Sequence, residues 1–488
     1  MGKELSRRKF LAGAGIAAGA AALVACGATP TPQVVEKVVE KEVTKEVEKV
    51  VTQEVVKEVT VEKVVKETVL VQQPTVAPVQ EKATVLYWQY MTDMEQIETP
   101  ILQAFNRTFP NYAEVKWEYI PWQQYWEKLN ATLSAGNPPD VWNTAPTFYF
   151  EYILRKQLTD ITDLFKASIK PEDFFSAALS GYDLEAKYYG IPRNLVSTVV
   201  FFNQDLFEQA GVEPPPLDGN WTWQDYLSKA KGLVDFHNKG GKTTTWGGNT
   251  MQGVGWTNVY IVANGGNPFK GEFRRDLEGM SCNYTDKIPS DTIDYFAALI
   301  TKEKVAPPAG EFEGQGDPLL TGRLGMTFSL NWGVNTYKDA PFKWNLTQCP
   351  KGAAKNLTYG GADGLVLSSA SKVKQQSWSL MMYLIDPKTG GDFLTSSGAM
   401  PVLKDKAVLD AYLSRHADKN LQAFIDSADT AYNTYCLGYS ELNKAIDDEF
   451  ANLYLGSATI EEAAAKATKA GDEAMDRIRK QYKEAMGG

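Results

Sequence analysis

The sequence predicts an α/β protein built on a largely parallel sheet. Three observations carry this: short runs rich in β-branched and aromatic residues recur along the chain, segments with apolar residues at helical spacing follow them, and turn signals separate the two. The first run, residues 83–90, reads Ala-Thr-Val-Leu-Tyr-Trp-Gln-Tyr and predicts a buried strand. Ile97, Ile101, Phe105 and Phe109 then fall at steps of four, predicting a helix that Pro110 and Asn111 stop. Residues 113–120 predict a second strand. Pro121 opens a second helix running to Leu129, where its fixed φ suits the first turn. Residues 196–202, 324–330 and 364–367 read as strands and 223–233 as a helix; from about Gln375 onwards helices dominate.

The 488 residues are enough for two or three domains, and a hydrophobic share of 43% fits packed cores. A formal net charge of -10, with no lysine and arginine cluster after residue 80, argues against a nucleic-acid partner. His237 and His416 lie far apart without neighbouring cysteines or paired carboxylates, so neither a catalytic zinc nor any other metal or cofactor is expected. Nucleophile elbows, H-E-x-x-H, Walker A and G-x-G-x-x-G after a strand are absent from the sequence.

Residues 1–25 read as a signal peptide: Ser6-Arg-Arg-Lys-Phe-Leu11 precedes an apolar run from Ala12 to Ala25, too short to span about 30 Å of hydrocarbon. Leu23-Val-Ala-Cys26 resembles a bacterial lipobox and the paired arginines a twin-arginine export signal, which implies acylation of Cys26 and anchoring at the outer face of the cytoplasmic membrane. Residues 26–82 form a charged Val/Glu/Lys tract and a Pro-marked linker. Val35, Val39, Val43, Val47, Val51, Val55 and Val59 recur every fourth residue. Each step overshoots a helical turn by about 40°, so the stripe winds around a helix and makes no coiled-coil seam. Lys37, Lys41, Lys45 and Lys49 share the valine face of a strand and discourage sheet pairing. A spacer is the reading that remains, reaching about 150 Å extended or about 65 Å as a helix. Of the other cysteines, Cys282, Cys349 and Cys436, one pair could form a disulfide or all could be buried thiols.

Aromatic residues crowd predicted strand ends and Gly- and Asn-rich loops: Tyr87, Trp88, Tyr90, Trp117, Trp122, Trp126, Trp142, Trp256 and Trp332. Most belong to cores, but those at carboxyl ends of strands border the crevices of α/β sheets and offer flat faces to sugar C–H groups.

Several segments together resemble one family. Ala135-Gly-Asn-Pro-Pro-Asp-Val141, Gln157-Leu-Thr-Asp-Ile161, Tyr189-Gly-Ile-Pro192 and Phe202-Asn-Gln-Asp-Leu-Phe-Glu-Gln-Ala-Gly-Val-Glu-Pro-Pro215 look like the sugar-binding extracellular solute-binding proteins of ABC importers, the group that includes the maltose-binding type. Trp221-Thr-Trp-Gln-Asp225, Thr321-Gly-Arg-Leu-Gly-Met-Thr327, Gly360-Gly-Ala-Asp-Gly-Leu365 and Gly398-Ala-Met-Pro401 extend the match over about residues 83–480. The resemblance implies a two-lobed, type II periplasmic-binding-protein-like fold. Each lobe would be a mixed, mainly parallel sheet flanked by helices, with 83–194 plus 360–395 in one and 195–359 plus 396–488 in the other. It implies a carbohydrate ligand in the interlobe cleft, ABC permease subunits as partners, a monomer, and no catalysis. An anchored carbohydrate-active enzyme using carboxylates such as Asp93 and Asp363, or a scaffold or adhesin with a vestigial cleft, are the alternatives.

Carried over residue by residue, the resemblance implicates Tyr90, Thr92 and Asp93 after the first strand, and Thr144, Thr147 and Phe148 after the Pro-Pro-Asp-Val turn. Asp140 in that turn reads as structural. Arg193 and Asn194 follow, Arg193 with a domain–domain salt bridge as its other role. Val196 stands where maltose-binding types carry an acidic ligand residue, which argues against maltodextrin. Trp256, Asn258, Trp332, Asp363 and Tyr439 complete the set, with Trp332 the leading stacking residue and a turn cap the other role for Asp363.

Overall fold

The computed structural model describes residues 82–184, 187–396 and 400–485; the signal segment, the acylation site expected at Cys26 and the charged tract lie outside the described residues. Strand β1 (Ala83–Gln89) opens the globular part, with Val85, Tyr87 and Gln89 buried. Helix α1 (Glu95–Thr108) leads to β2 (Ala113–Tyr119), and α2 (Trp122–Ser134) leads to β3 (Val141–Thr144). Both β2 and β3 pair with β1 in parallel, because each return passes through a helix. Helix α3 (Pro146–Leu154) begins one residue after β3.

Further along, β4 (Gly190–Ser197) leads through the single residue Thr198 into β5 (Val199–Asn203). Strand β5 is the middle of a second sheet, between β6 (Met326–Ser329) and β7 (Trp344–Gln348). Strand β8 (Thr358–Leu367) then returns to the first sheet, where it pairs with β4 along one edge, and with β3 and the short β9 (Ala431–Tyr432) along the other. The two crossings meet at Thr198: its hydroxyl donates to the Tyr359 carbonyl at 2.9 Å, and its own carbonyl accepts from the Thr358 hydroxyl at 2.9 Å.

The α/β architecture is as the sequence predicts, but its pairing differs in the second sheet. Both ladders there, β6 with β5 and β7 with β5, are antiparallel instead of mainly parallel. Strand β5 enters as the continuation of a strand from the other sheet, so its direction is set there, and β6 and β7 flank it running the opposite way. Its residues also divide two cores. Val200 and Phe202 join Tyr226, Leu233 and Tyr260 in one cluster, while Val199 and Phe201 join the larger one. Helix α4 (Trp223–His237), which covers the smaller cluster, starts with a full capping box in which Thr222 and Asp225 each accept from the other's backbone N–H. Helices α5 (Val254–Ala263), α6 (Tyr439–Tyr454) and α7 (Ile460–Ala485) are among the helices of the second half. Cys282, Cys349 and Cys436 are all buried free thiols.

One irregularity positions the site. The β4–β8 register steps from Asn194 opposite Asp363 to Pro192 opposite Gly364, leaving Arg193 as the extra residue of a bulge. Gly364 is required there. A Cβ would stand 2.4 Å from the Ile191 carbonyl and 2.6 Å from the Tyr182 ring.

Candidate functional site

Because β1, β2 and β3 run parallel, their carboxyl ends share one edge of the first sheet, where α/β proteins form crevices. Tyr90 follows β1, Trp122 follows β2 after Ile120 and Pro121, and Thr147 and Phe148 follow β3 in the first turn of α3. The rings converge. Tyr90 meets Trp122 edge-on at 4.9 Å, Trp122 meets Trp126 at 5.0 Å, and Trp126 lies 4.1 Å from Phe148. Tyr90 and Trp126 are nearly buried, whereas Trp122 is 43% exposed and presents the cluster to solvent.

At the same edge β8 brings Asp363 opposite Asn194. Asn194 donates from Nδ2 to Asp363 Oδ2 at 3.2 Å, while its Oδ1 accepts from the Met400 N–H at 2.9 Å and from Asn331 Nδ2 at 3.4 Å. Asn331 follows β6, so this amide chain joins the first sheet to the end of a strand from the second. Trp332 comes next and is half exposed. The Tyr90 hydroxyl also bears on the Asp363 carboxylate, and Tyr182, Tyr359 and Tyr435 lie within its field. Tyr435 donates to the Tyr359 hydroxyl at 2.8 Å, and Trp256 stacks on Tyr359 at 4.5 Å.

Burial pushes the Asp363 carboxyl up to about 6, against the nearby Tyr90 hydroxyl and the Asn194 amide hydrogen bond, which favour its ionised form. The folded value lies above the unfolded 3.8, so this carboxyl opposes folding once it must ionise. Below about pH 4 both states hold the proton and there is no penalty; between about pH 4 and 6 the penalty grows, and above that it is complete. Asp363→Asn is therefore expected to stabilise the protein by about 1–3 kcal/mol at pH 7.5 and by nothing at pH 3.5. Urea titrations at the two pH values check this, and an equal effect at both would refute it.

The sequence-predicted residues sort clearly. Tyr90, Thr147, Phe148, Asn194 and Asp363 come together at the strand ends, with Trp332 at the end of β6. Thr144 lies in the strand next to them, but its side chain is buried and its hydroxyl bonds to the Ala145 carbonyl. Thr92 and Asp93 form an exposed single turn at the rim. Trp256 and Tyr439 join the tyrosine cluster behind Asp363, with the Tyr439 ring 5.0 Å from Tyr435.

Arg193 and Asn258 leave the set. Arg193 is 1% exposed and pairs with Glu98 of α1, donates to the Tyr87 hydroxyl at 3.1 Å and covers the Phe393 ring. That pairing lies within the first sheet's own layers, so it is not a domain–domain bridge either. Asn258 is buried in α5, where its Oδ1 accepts from the Tyr284 hydroxyl at 3.0 Å. Asp140 is structural as expected, accepting from the Leu86 N–H at 2.9 Å and the Ser371 hydroxyl at 2.6 Å. Sequence reasoning missed Trp122, Trp126 and Asn331 as site residues. Trp122 and Trp126 are among the aromatics that the sequence sets beside strand ends, but the resemblance picks Tyr90, Trp256 and Trp332 from that group and passes over both; Asn331 is the neighbour of Trp332.

The family model for bacterial extracellular solute-binding proteins matches residues 101–421. A putative binding protein of Brucella abortus is 22% identical over 403 residues, covering 77% of this chain and 93% of that one. The sn-glycerol-3-phosphate-binding periplasmic protein UgpB of Escherichia coli is 23% identical over 438 residues, covering 83% and 95%. Among solved structures, an ABC substrate-binding protein of Listeria monocytogenes in complex with cycloalternan aligns with a TM-score of 0.67 at 22% identity, covering 83% of this chain and all of that one. The sugar-binding protein MalE of Xanthomonas citri aligns at 0.67 with 17% identity, covering 82% of this chain and all of that one. The crossing strands, the strand-end crevice and a match over most of the globular part lead to one assignment: this chain belongs to the bacterial extracellular solute-binding protein family.

Proposed function

We propose that this chain is the solute-capturing component of an ABC importer that takes a mono- or oligosaccharide and hands it to the membrane permease. In this reading the protein is exported, acylated at Cys26, held at the outer face of the cytoplasmic membrane and monomeric, with the tract after Cys26 as its stalk. The observation that carries it is the convergence of exposed and half-buried aromatic rings with Asp363 and Asn194 at the strand ends beside the crossings. Stacked rings and convergent polar groups are what a sugar requires of a cleft. The sugars named for the structural neighbours support the carbohydrate class, and the glycerol phosphate named for UgpB keeps a small polyol derivative in view.

In this reading the lobes follow the sequence division, 83–194 with 360–395 and 195–359 with 396–488, except that residues 195–197 and Ala431–Tyr432 pair in the first sheet and go with the first lobe; the hinge lies at the hydrogen-bonded crossings around Thr198. Ligand that contacts both walls favours the closed form, and the permease reads that form. The enzyme alternative needs two carboxylates about 5–10 Å apart. Asp93, the second acid the sequence offers, stands in the exposed turn at the rim and is not among the groups that shift Asp363. Native mass spectrometry of the full-length protein as isolated is expected to show one co-purified solute per chain with the mass of a saccharide. Turnover of labelled oligosaccharides, or no solute together with no melting shift across a broad sugar panel, would overturn the reading.

A further inference from the structure

Beside the strand ends Asp363 brings a carboxylate that no cation pairs with among the described residues. Asp363 is approached from separate segments by Tyr90 after β1, Tyr182 before β4, Tyr359 within β8, Tyr435 after β9, and Asn194 of β4. None of these is a cation, and among the described residues no lysine, arginine or histidine forms an ion pair with Asp363, whose one side-chain hydrogen bond comes from Asn194. The cations nearby are committed elsewhere. Arg193, adjacent to Asn194, is turned by the bulge towards Glu98. Arg275 donates to the Tyr435 and Ser180 carbonyls, each at 2.7 Å, and covers the Phe150 ring. Lys128 lies over Trp88 and pairs with Glu118.

We propose that Asp363 makes this crevice selective for charge: its solute is a neutral or amine-bearing polyhydroxylated compound, and phosphorylated or carboxylated counterparts are rejected. This rests on the reading of the crevice as a solute site and narrows its substrate class. The carboxylate accepts and does not donate, and Asn194 occupies only one of its oxygens. Its remaining capacity calls for hydroxyl or ammonium donors on the ligand. A phosphate or carboxylate group brings acceptors and like charge into a half-buried site without a compensating cation, the arrangement by which a closed cleft discriminates most strongly.

The test uses the full chain at pH 7.5 and solutes matched in everything but charge. Glucose is compared with glucosamine, glucose 6-phosphate and glucuronate, and glycerol with glycerol 3-phosphate, by isothermal titration against the wild type and Asp363→Asn. In the wild type, neutral and amine-bearing members are expected to bind at least about tenfold more tightly than their anionic counterparts. In Asp363→Asn that ratio is expected to fall towards one, a change that loss of packing alone would not produce. An anionic member binding as well as its neutral counterpart in the wild type overturns the inference, as does an unchanged ratio in the variant; either result leaves the solute site standing. If every member fails to bind, the solute released from the isolated protein decides: one carrying a phosphate or carboxylate overturns the inference, and no released solute together with no melting shift across a broad sugar panel overturns the solute-site reading on which the inference rests.

Discussion

Arg193→Met is expected to cost about 3–5 kcal/mol of folding stability, because it strips the cation from a carboxylate that has no access to water. Glu98 is fully buried and accepts from Arg193, from the Tyr87 hydroxyl at 3.0 Å, from Gln89 Nε2 at 3.3 Å and from the Tyr119 hydroxyl at 2.6 Å. The neutral donors remain in the variant, but they cannot replace a full opposite charge in a low-dielectric interior. The pair is itself expensive: Nε and Nη2 of Arg193 are buried without hydrogen-bond partners among the described residues, and the Phe393 ring lies 3.6 Å from the guanidinium carbon. Removing both charges, as Arg193→Met with Glu98→Met, is therefore expected to recover much of the loss. Urea denaturation of the wild type, both single variants and the double variant gives the coupling directly. Single variants within 1 kcal/mol of wild type would refute the account. The same set separates scaffold from site, since the double variant should keep its affinity for solute once folded.

Arg193 also shows where the sequence stops being legible. The strand read from the sequence at residues 196–202 stops short of Arg193 and Asn194, which lie in β4 at the register step of the bulge. What cannot be read is that β8 supplies Asp363 to one side and α1 supplies Glu98 to the other, because both partners are about 100 residues or more distant in sequence. The parallel part of the first sheet was legible for the opposite reason, each strand and its return helix being contiguous. The antiparallel second sheet was not, since β5 is separated from β6 and β7 by more than a hundred residues and takes its direction from the other sheet. Within the site, Tyr90, Phe148 and Asp363 follow from the resemblance; Tyr90 and Phe148 also stand just after parallel strands, whereas Asp363 lies inside β8. Asn258 misled because a polar residue in a loop and one sealed inside α5 against Tyr284 look alike until the helix is placed.

Trp122→Ala is expected to weaken solute binding by about 10- to 100-fold, or about 1.4–2.8 kcal/mol, with little change in stability. The two effects separate because Trp122 is the outer ring of its cluster. It is 43% exposed and touches Tyr90 and Trp126 by its edges, so the interior keeps its packing when the ring is removed. Trp126→Ala is the informative contrast: that ring is nearly buried against Tyr90, Tyr125 and Phe148, and its loss should lower stability as well as affinity. Trp332, half exposed at the end of β6, is the corresponding ring from the second sheet. If ligand bridges the two walls, Trp122→Ala and Trp332→Ala should each reduce affinity, and their combination should also suppress the change in tryptophan fluorescence that accompanies closure. Titration with the solute released from the isolated protein measures both quantities. Unchanged affinity in Trp122→Ala would mean that the ligand does not rest on the first sheet's strand ends. A loss only in Trp332→Ala would place it on the opposite wall, where the sequence reading first put the stacking contact.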